Sequence, residues 1–213
     1  MRSASLRTEA WTNVTIGGQT KPGDNYTYDD LGNIISKSDY AELYMYGTSR
    51  ITGAAGPHAV VSITQAGVTK TFTYDPNGNM TAGDGRTVTF DSLDRPITVT
   101  MGTVTTQFRY APDGTRYLQR TVGLATGPYP SKTVYYVDKD YERIDWSSTS
   151  YEETTYIGPS VPIYDRNRSS RDVRYLHLDH LGSTDAVTNA GASEVATDAH
   201  GFDAFCKPRG RDW

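Results

Sequence analysis

Cysteine is almost missing: Cys206 is the single one in 213 residues. That excludes an intrachain disulfide framework and any zinc site built from paired cysteines, and it permits synthesis in the cytosol. Long apolar runs are missing as well. No stretch approaches the roughly 18 residues that a transmembrane helix needs. The opening MRSASLRTEAW carries no apolar core of a secretory signal peptide. Excess positive charge is lacking too. The formal net charge is −4, which argues against a non-specific binder of nucleic acid or of anionic membranes. Helical periodicity is absent beyond a turn or two. Hydrophobic residues make up 36% of the chain, lean for a globular domain but too many for disorder.

What is present is turn-forming residues and tyrosine. Gly counts 20 and Pro 10, so chain reversals are plentiful, and 16 Tyr stand against 5 Phe. Tyrosine suits a surface that is apolar along its body and wet at its tip. That predicts a wall with water nearby, not a thick dry core. Short runs alternate with period two: YTYD, LYMY, VVSIT, TFTYD, TVTFD, ITVTM, QFRYA, TVYYV, TTYIG, VRYLHLD and DAVTN. Most are bounded by Gly, Asn, Asp, Pro or Ser, as strands are. Connections this short join antiparallel neighbours. The expected fold is all-β, built of antiparallel hairpins.

The chain also repeats itself. Tyr28-Asp29-Asp30-Leu31-Gly32-Asn33 matches Tyr74-Asp75-Pro76-Asn77-Gly78-Asn79, then Phe90-Asp91-Ser92-Leu93-Asp94-Arg95, then Tyr110-Ala111-Pro112-Asp113-Gly114-Thr115. The anchors are 46, 16 and 20 residues apart. The first gap has room for degenerate copies around Tyr44 and Tyr46. The repeated unit reads as a turn. Asp at the first position accepts hydrogen bonds from backbone N–H groups two residues on, and Pro76 or Pro112 pre-sets the next φ. Gly32, Gly78 or Gly114 then supplies a positive φ that closes the hairpin with a bulge. Asp94 fills that place in the third copy, because Asp tolerates the left-handed region. The aromatics preceding each turn sit two apart and share a strand face. Tyr26, Tyr28, Phe72, Tyr74 and Phe90 are expected to line one face, with Val88 in the third copy's leading place. Phe108, Tyr110 and Tyr175 are further sheet aromatics. Residues 1–25 are a poorly defined partial repeat, 26–120 the hairpin repeats, 121–174 irregular strands and loops, and 175–213 a terminal segment. The polar run 165–172, DRNRSSRD, reads as a solvated hairpin tip, since aspartates flank its arginines.

From Tyr26 to about residue 210 the chain resembles the YD-repeat, or RHS-repeat, family. The Tyr-Asp-x-x-Gly copies carry the resemblance, and so does YLHLDHLGSTDAVTNAGASEVATDAHGFDAFCKPRG at 175–210. This stretch is similar to the end of the RHS-associated core. The resemblance implies a sheet ribbon of hairpin repeats that spirals into a hollow shell around a C-terminal toxic domain. It also implies that the repeats encapsulate and deliver but do not catalyse. Bacterial members resemble contact-dependent toxins used in competition and components of insecticidal complexes; animal relatives are adhesion receptors. Implied partners are the rest of a longer RHS polypeptide, its toxin cargo and secretion-machinery proteins. The implied destination is the cell surface or the exterior, reached through the parent protein or a specialised secretion system. The chain is far shorter than a closed shell, ends without an autoproteolytic segment, and has Cys206 where the family pattern has glycine. Each feature points to a truncated or split member, or a piece of a longer polypeptide.

The reactive groups fit this structural reading better than they fit chemistry. His177 and Asp179 share a strand face and His180 faces away, which gives two ligands where zinc takes three or four. Asp179 and Gly182 instead repeat the turn spacing. Ser183 near His180 lacks the Gly-x-Ser-x-Gly setting of a nucleophile elbow. Asp29/Asp30 and Glu152/Glu153 are adjacent acids that point apart, unlike a glycosidase pair. No catalytic residue, metal or cofactor is therefore expected. The alternative is a binding module: Tyr and Trp on an exposed sheet can stack on sugars, so the same aromatics that glue strands together would hold glycans or a cell surface.

Overall fold

Every regular element among the described residues is a strand. The structure, a computed structural model, describes residues 8–9, 15–16, 19–20, 23–48, 55–125, 127–179, 182–195, 201–202 and 208–209, the two-residue stretches by backbone alone. His180, Leu181, His200 and Cys206, and with them the Phe-Asp-x-Phe string, lie outside the described side chains.

The chain divides into two compact units, 1–102 and 103–213. The first begins with β1 (Thr8–Glu9), β2 (Thr15–Ile16) and β3 (Gln19–Thr20). β4 (Asp24–Tyr28) pairs with β1 and with β5 (Ile34–Lys37), and β2 pairs with β3. Then follow β6 (Leu43–Tyr46), β7 (Val60–Gln65), β8 (Val68–Tyr74), β9 (Met80–Gly83), β10 (Arg86–Phe90) and β11 (Pro96–Met101). These six strands lie side by side in chain order, each antiparallel to the next.

The second unit continues with β12 (Val104–Tyr110), β13 (Arg116–Val122), β14 (Ser131–Tyr136) and β15 (Tyr141–Asp145). β16 (Tyr151–Ile157), β17 (Val161–Arg166), β18 (Ser170–Leu178) and β19 (Thr184–Asn189) follow. They too pair antiparallel in chain order. β20 (Gly201–Phe202) and β21 (Pro208–Arg209) pair with each other. The stretch 121–174, irregular as a sequence, thus keeps one regular ladder from β14 to β18. Its strands still alternate Tyr, Thr and Val; its turns are built from Ser, Asp and Gly-Pro, without the Tyr-Asp signature.

The pleat separates two faces. In β8, Lys70, Phe72 and Tyr74 are half-buried while Thr69, Thr71 and Thr73 are exposed. In β12, Thr106, Phe108 and Tyr110 are covered while Gln107 and Arg109 face water. Among the described residues fully buried apolar side chains are few and scattered: Tyr26, Ala41 and Ile63 in the first unit, Val134 and Val187 in the second. Thr154, at 1% exposure, and Pro162 lie as deep as any of them. A single sheet layer has little interior, so polar Thr and amphipathic Tyr serve where a sandwich would use Leu and Ile.

Candidate functional site

The recurring feature is a five-residue turn closed by its own first side chain. At 29–33 the Asp29 N–H donates to the Asn33 carbonyl at 3.0 Å and the Gly32 N–H returns to the Asp29 carbonyl at 3.1 Å. Asp29 Oδ1 accepts the backbone N–H groups of Leu31 and Asn33, at 2.9 and 2.8 Å. The Asn33 amide donates to Oδ2 at 2.7 Å. At 75–79 the same set recurs, with Asp75 Oδ1 taking the Asn77 and Asn79 N–H groups and Oδ2 the Asn79 amide. At 91–95 Arg95 replaces Asn, and its Nε donates to Asp91 Oδ2 at 2.8 Å. At 179–183 the Asp179 N–H donates to the Ser183 carbonyl at 2.8 Å and Asp179 Oδ1 takes the Ser183 N–H at 2.9 Å.

The fourth place in each turn is left-handed: Gly32 at φ 85°, Gly78 at 91°, Asp94 at 59°, Gly114 at 88° and Gly182 at 86°. Just before each turn the ladder slips by one residue, between Thr27 and Tyr28, Thr73 and Tyr74, Thr89 and Phe90, Arg109 and Tyr110, and His177 and Leu178. The slip leaves an extra residue on the returning strand. Ile97 and Tyr117 occupy such places, and both are exposed.

The 111–115 turn departs from the rule. Ala111 has no carboxylate to offer, and Asp113 Oδ1, from inside the loop, takes the Thr115 N–H at 2.8 Å. A turn hidden in the sequence lies at 189–193. Asn189 Oδ1 accepts the Gly191 and Ser193 N–H groups at 2.9 and 3.0 Å, and the Ala192 N–H donates to the Asn189 carbonyl. Ala192 takes the left-handed place at φ 58°. An Asn side chain presents the same acceptor oxygen as Asp, so Asn-x-x-x-Ser was the available signal.

These bonds fix the electrostatics. The Asn33 amide holds the Asp29 carboxyl below its ordinary value, with partial desolvation opposing and backbone N–H groups adding. Asp75 is lowered the same way, by the Asn79 amide first. For Asp91 the Arg95 backbone N–H leads. Each carboxylate faces its own backbone and is committed to it. Asp94 ties two turns together, accepting the side-chain amides of Asn77 and Asn79 at 2.8 and 2.7 Å. His58, which spacing did not single out, sits 2.6 Å from Asn33 Oδ1.

The aromatic residues pack against neighbouring hairpins. Tyr26 is 2% exposed, and Tyr28, Phe72, Tyr74, Phe90, Phe108 and Tyr110 are half-buried. The Tyr74 hydroxyl donates to the Val60 carbonyl at 2.7 Å, and the Tyr46 hydroxyl to the Ile34 carbonyl at 2.8 Å. The Arg116 guanidinium lies 5.3 Å from the Phe108 ring and 4.8 Å from Tyr136. Tyr175 differs: it is exposed, four residues before its turn, where the others stand one or three before theirs. The arginines of 165–172 are exposed and paired, Arg166 with Glu152 and Arg171 with Asp165. Among the described residues no group of three or more His, Cys, Asp and Glu is placed to hold a metal.

This ladder is similar to part of much longer chains of known structure. In the Tc holotoxin pore of Photorhabdus luminescens a chain matches with a TM-score of 0.57 at 14% identity, over 89% of this chain and 12% of that one. The likeness is one of fold. Crystal structures of TcdB2-TccC3-TEV and TcdB2-TccC3 match with TM-scores of 0.54 and 0.55, at 15% and 14% identity and the same coverage. The chain therefore spans about an eighth of the length of the chains it matches, at 12%. No family model and no curated protein matches it.

Proposed function

We propose that this chain is a structural segment of an RHS-type toxin shell, a stretch of wall that helps enclose and deliver a C-terminal toxic domain. The observation that carries this reading is the recurrence of one self-closed aspartate turn along a sheet that pairs strand by strand, in a fold shared with segments of Tc toxin chains. Such a sheet gains length by adding hairpins, which is what a wall requires. The carboxylates of Asp29, Asp75 and Asp91 are bonded to backbone N–H groups, so their role in this reading is to hold bends. In this reading the segment's role is structural and not catalytic. Its partners are the remainder of a longer polypeptide and its cargo, and it reaches the exterior through that parent or a dedicated secretion system.

The test is made on the parent polypeptide. Its coding sequence is expected to carry further Tyr-Asp-x-x-Gly copies beside this segment and an unrelated C-terminal domain. That domain should resist protease in the intact parent and be digested once released. A C-terminal domain cut equally fast in both states, or a parent with no further copies, overturns the proposal.

A further inference from the structure

In the second unit, Arg109 of β12 alternates with the covered Phe108 and so points to the opposite, exposed face of the sheet. The register places Gln107 opposite Arg120 on β13, and Arg109 opposite Leu118. Leu118 stands opposite Tyr135 and Arg120 opposite Thr133 on β14, and Thr133 opposite Asp145 on β15. Directly opposed residues share a face. That face therefore carries two adjacent rows, Arg109–Leu118–Tyr135 and Gln107–Arg120–Thr133–Asp145. Diagonal neighbours in such rows lie roughly 7–8 Å apart, so two long side chains can reach a common point. Both arginines, with Tyr117 and Tyr135, line a trough of about 550 Å3, within the roughly 300–1,000 Å3 of small-molecule pockets.

The charge is one-sided. Every other arginine of this unit whose side chain is described is committed: Arg116 lies over aromatic rings, and Arg143, Arg166, Arg168, Arg171 and Arg174 each pair with a carboxylate. Arg109 and Arg120 pair with none among the described residues. The one carboxylate in the lining, Asp145, is held by Arg143 at 2.7 Å. Two like charges side by side on a sheet repel, so the pair is a cost to the fold until an anion lies between them. Beside the charge, the Tyr117 and Tyr135 rings are 41% and 39% exposed, which leaves aromatic faces open to the trough. None of these side chains serves the aspartate turns.

We infer that this trough binds a mononucleotide, a planar base carrying a phosphate monoester. The phosphate carries roughly two negative charges at neutral pH, so two guanidiniums balance it, and their planar forks match its oxygens. A single carboxylate would leave one arginine unmatched. The base lays its flat face on an exposed tyrosine ring, a contact open to any base. The Ser131 and Thr133 hydroxyls, also in the lining, meet the polar groups between base and phosphate. A purely apolar ligand would leave these donors without partners at a cost. A nucleic acid strand needs a track of cations along its backbone. Here the charge stops at two arginines, in a chain of net charge −4.

Titration calorimetry on the full chain tests the site with AMP, UMP, adenosine, inorganic phosphate, phosphotyrosine and oligothymidylate. Saturable binding of both nucleotides is expected, weaker by about tenfold or more for adenosine and for Arg120→Gln. Inorganic phosphate should bind more weakly than AMP, and Tyr135→Ala should weaken AMP while leaving inorganic phosphate unchanged. Arg109→Gln and Arg120→Gln should melt no lower than the parent, since each removes a repulsion, and the comparison of AMP with adenosine needs no variant at all. No binding of either nucleotide, equal affinity for AMP and adenosine, an unchanged affinity in both arginine variants, or tighter binding of phosphotyrosine or of oligothymidylate at the same salt each overturns the assignment. The shell reading stands or falls separately, on protection of the cargo.

Discussion

At the scale of the residue, the motif is a backbone constraint written in side chains. Gly78 sits at φ 91° and Gly32 at φ 85°. A Cβ built on Gly32 meets nothing within 4 Å, so the cost of a larger residue there is conformational and not steric. Left-handed backbone costs most L-residues about 1–2 kcal/mol, and Asn less. Gly78→Val is expected to lower stability by about 2 kcal/mol and Gly78→Asn by about half of that; equal melting temperatures for the two variants would remove the left-handed turn from the account. The aspartates give a second reading, through pH. Their folded pKa values lie below the ordinary 3.8. The folded chain therefore binds fewer protons than the unfolded chain in that window, and stability rises with pH across it. The contribution is complete above the ordinary aspartate range and is lost as pH falls through the lowered values. Denaturant midpoints measured from pH 6 down to 2 should fall mainly below 3.8, and less steeply in Asp75→Asn. A midpoint that already drops between pH 6 and 5 would assign the acid sensitivity to other groups.

At the scale of the element, each hairpin is a turn, a bulge and a pair of strands in one register. Alternation made most strands legible; the aromatic-Asp repeat made the turns at 29, 75 and 91 legible and the Asp-x-x-Gly spacing the one at 179, because Asp and Gly are the residues that this backbone favours. The turn at 189–193 was not legible as a copy: Asn189 replaces Asp, and Ala192 tolerates a conformation that usually selects Gly. The substitutability of the left-handed place can be measured. Ala192→Gly should stabilise by up to about 1 kcal/mol, relief of left-handed strain less the entropy that Gly loses. Asp94→Gly should not, although φ improves equally, because Asp94 also receives the Asn77 and Asn79 amides. Equal gains at both positions would mean that the Asp94 bridge contributes nothing. Gly83 marks the opposite use of glycine: a Cβ there would run into the Phe72 ring packed across from it.

At the scale of the whole molecule, the described strands of each ladder pair with their chain neighbours, so cohesion is local. Among the described strands only the β1–β4 and β6–β7 pairings close a longer loop, over 10–23 and 47–59. Stability in such an arrangement is approximately a sum of hairpin terms and nearest-neighbour terms, as in other repeat proteins. This explains how a thin sheet with few buried side chains persists, since each added strand needs one partner and not a completed core. It also predicts how damage spreads. Ile63, 3% exposed in β7, is among the deepest apolar side chains of the first unit. Ile63→Ala is expected to cost about 2 kcal/mol, the low end for a buried aliphatic truncation, because a single sheet relaxes into the space more readily than a closed core. Under native conditions amide exchange should accelerate in β6, β7 and β8, whose ladder bonds adjoin the site, and stay unchanged in β10 and β11. A uniform acceleration from β6 to β11 would mean that the ladder opens as one cooperative body, and the additive picture of a wall extended hairpin by hairpin would be lost with it.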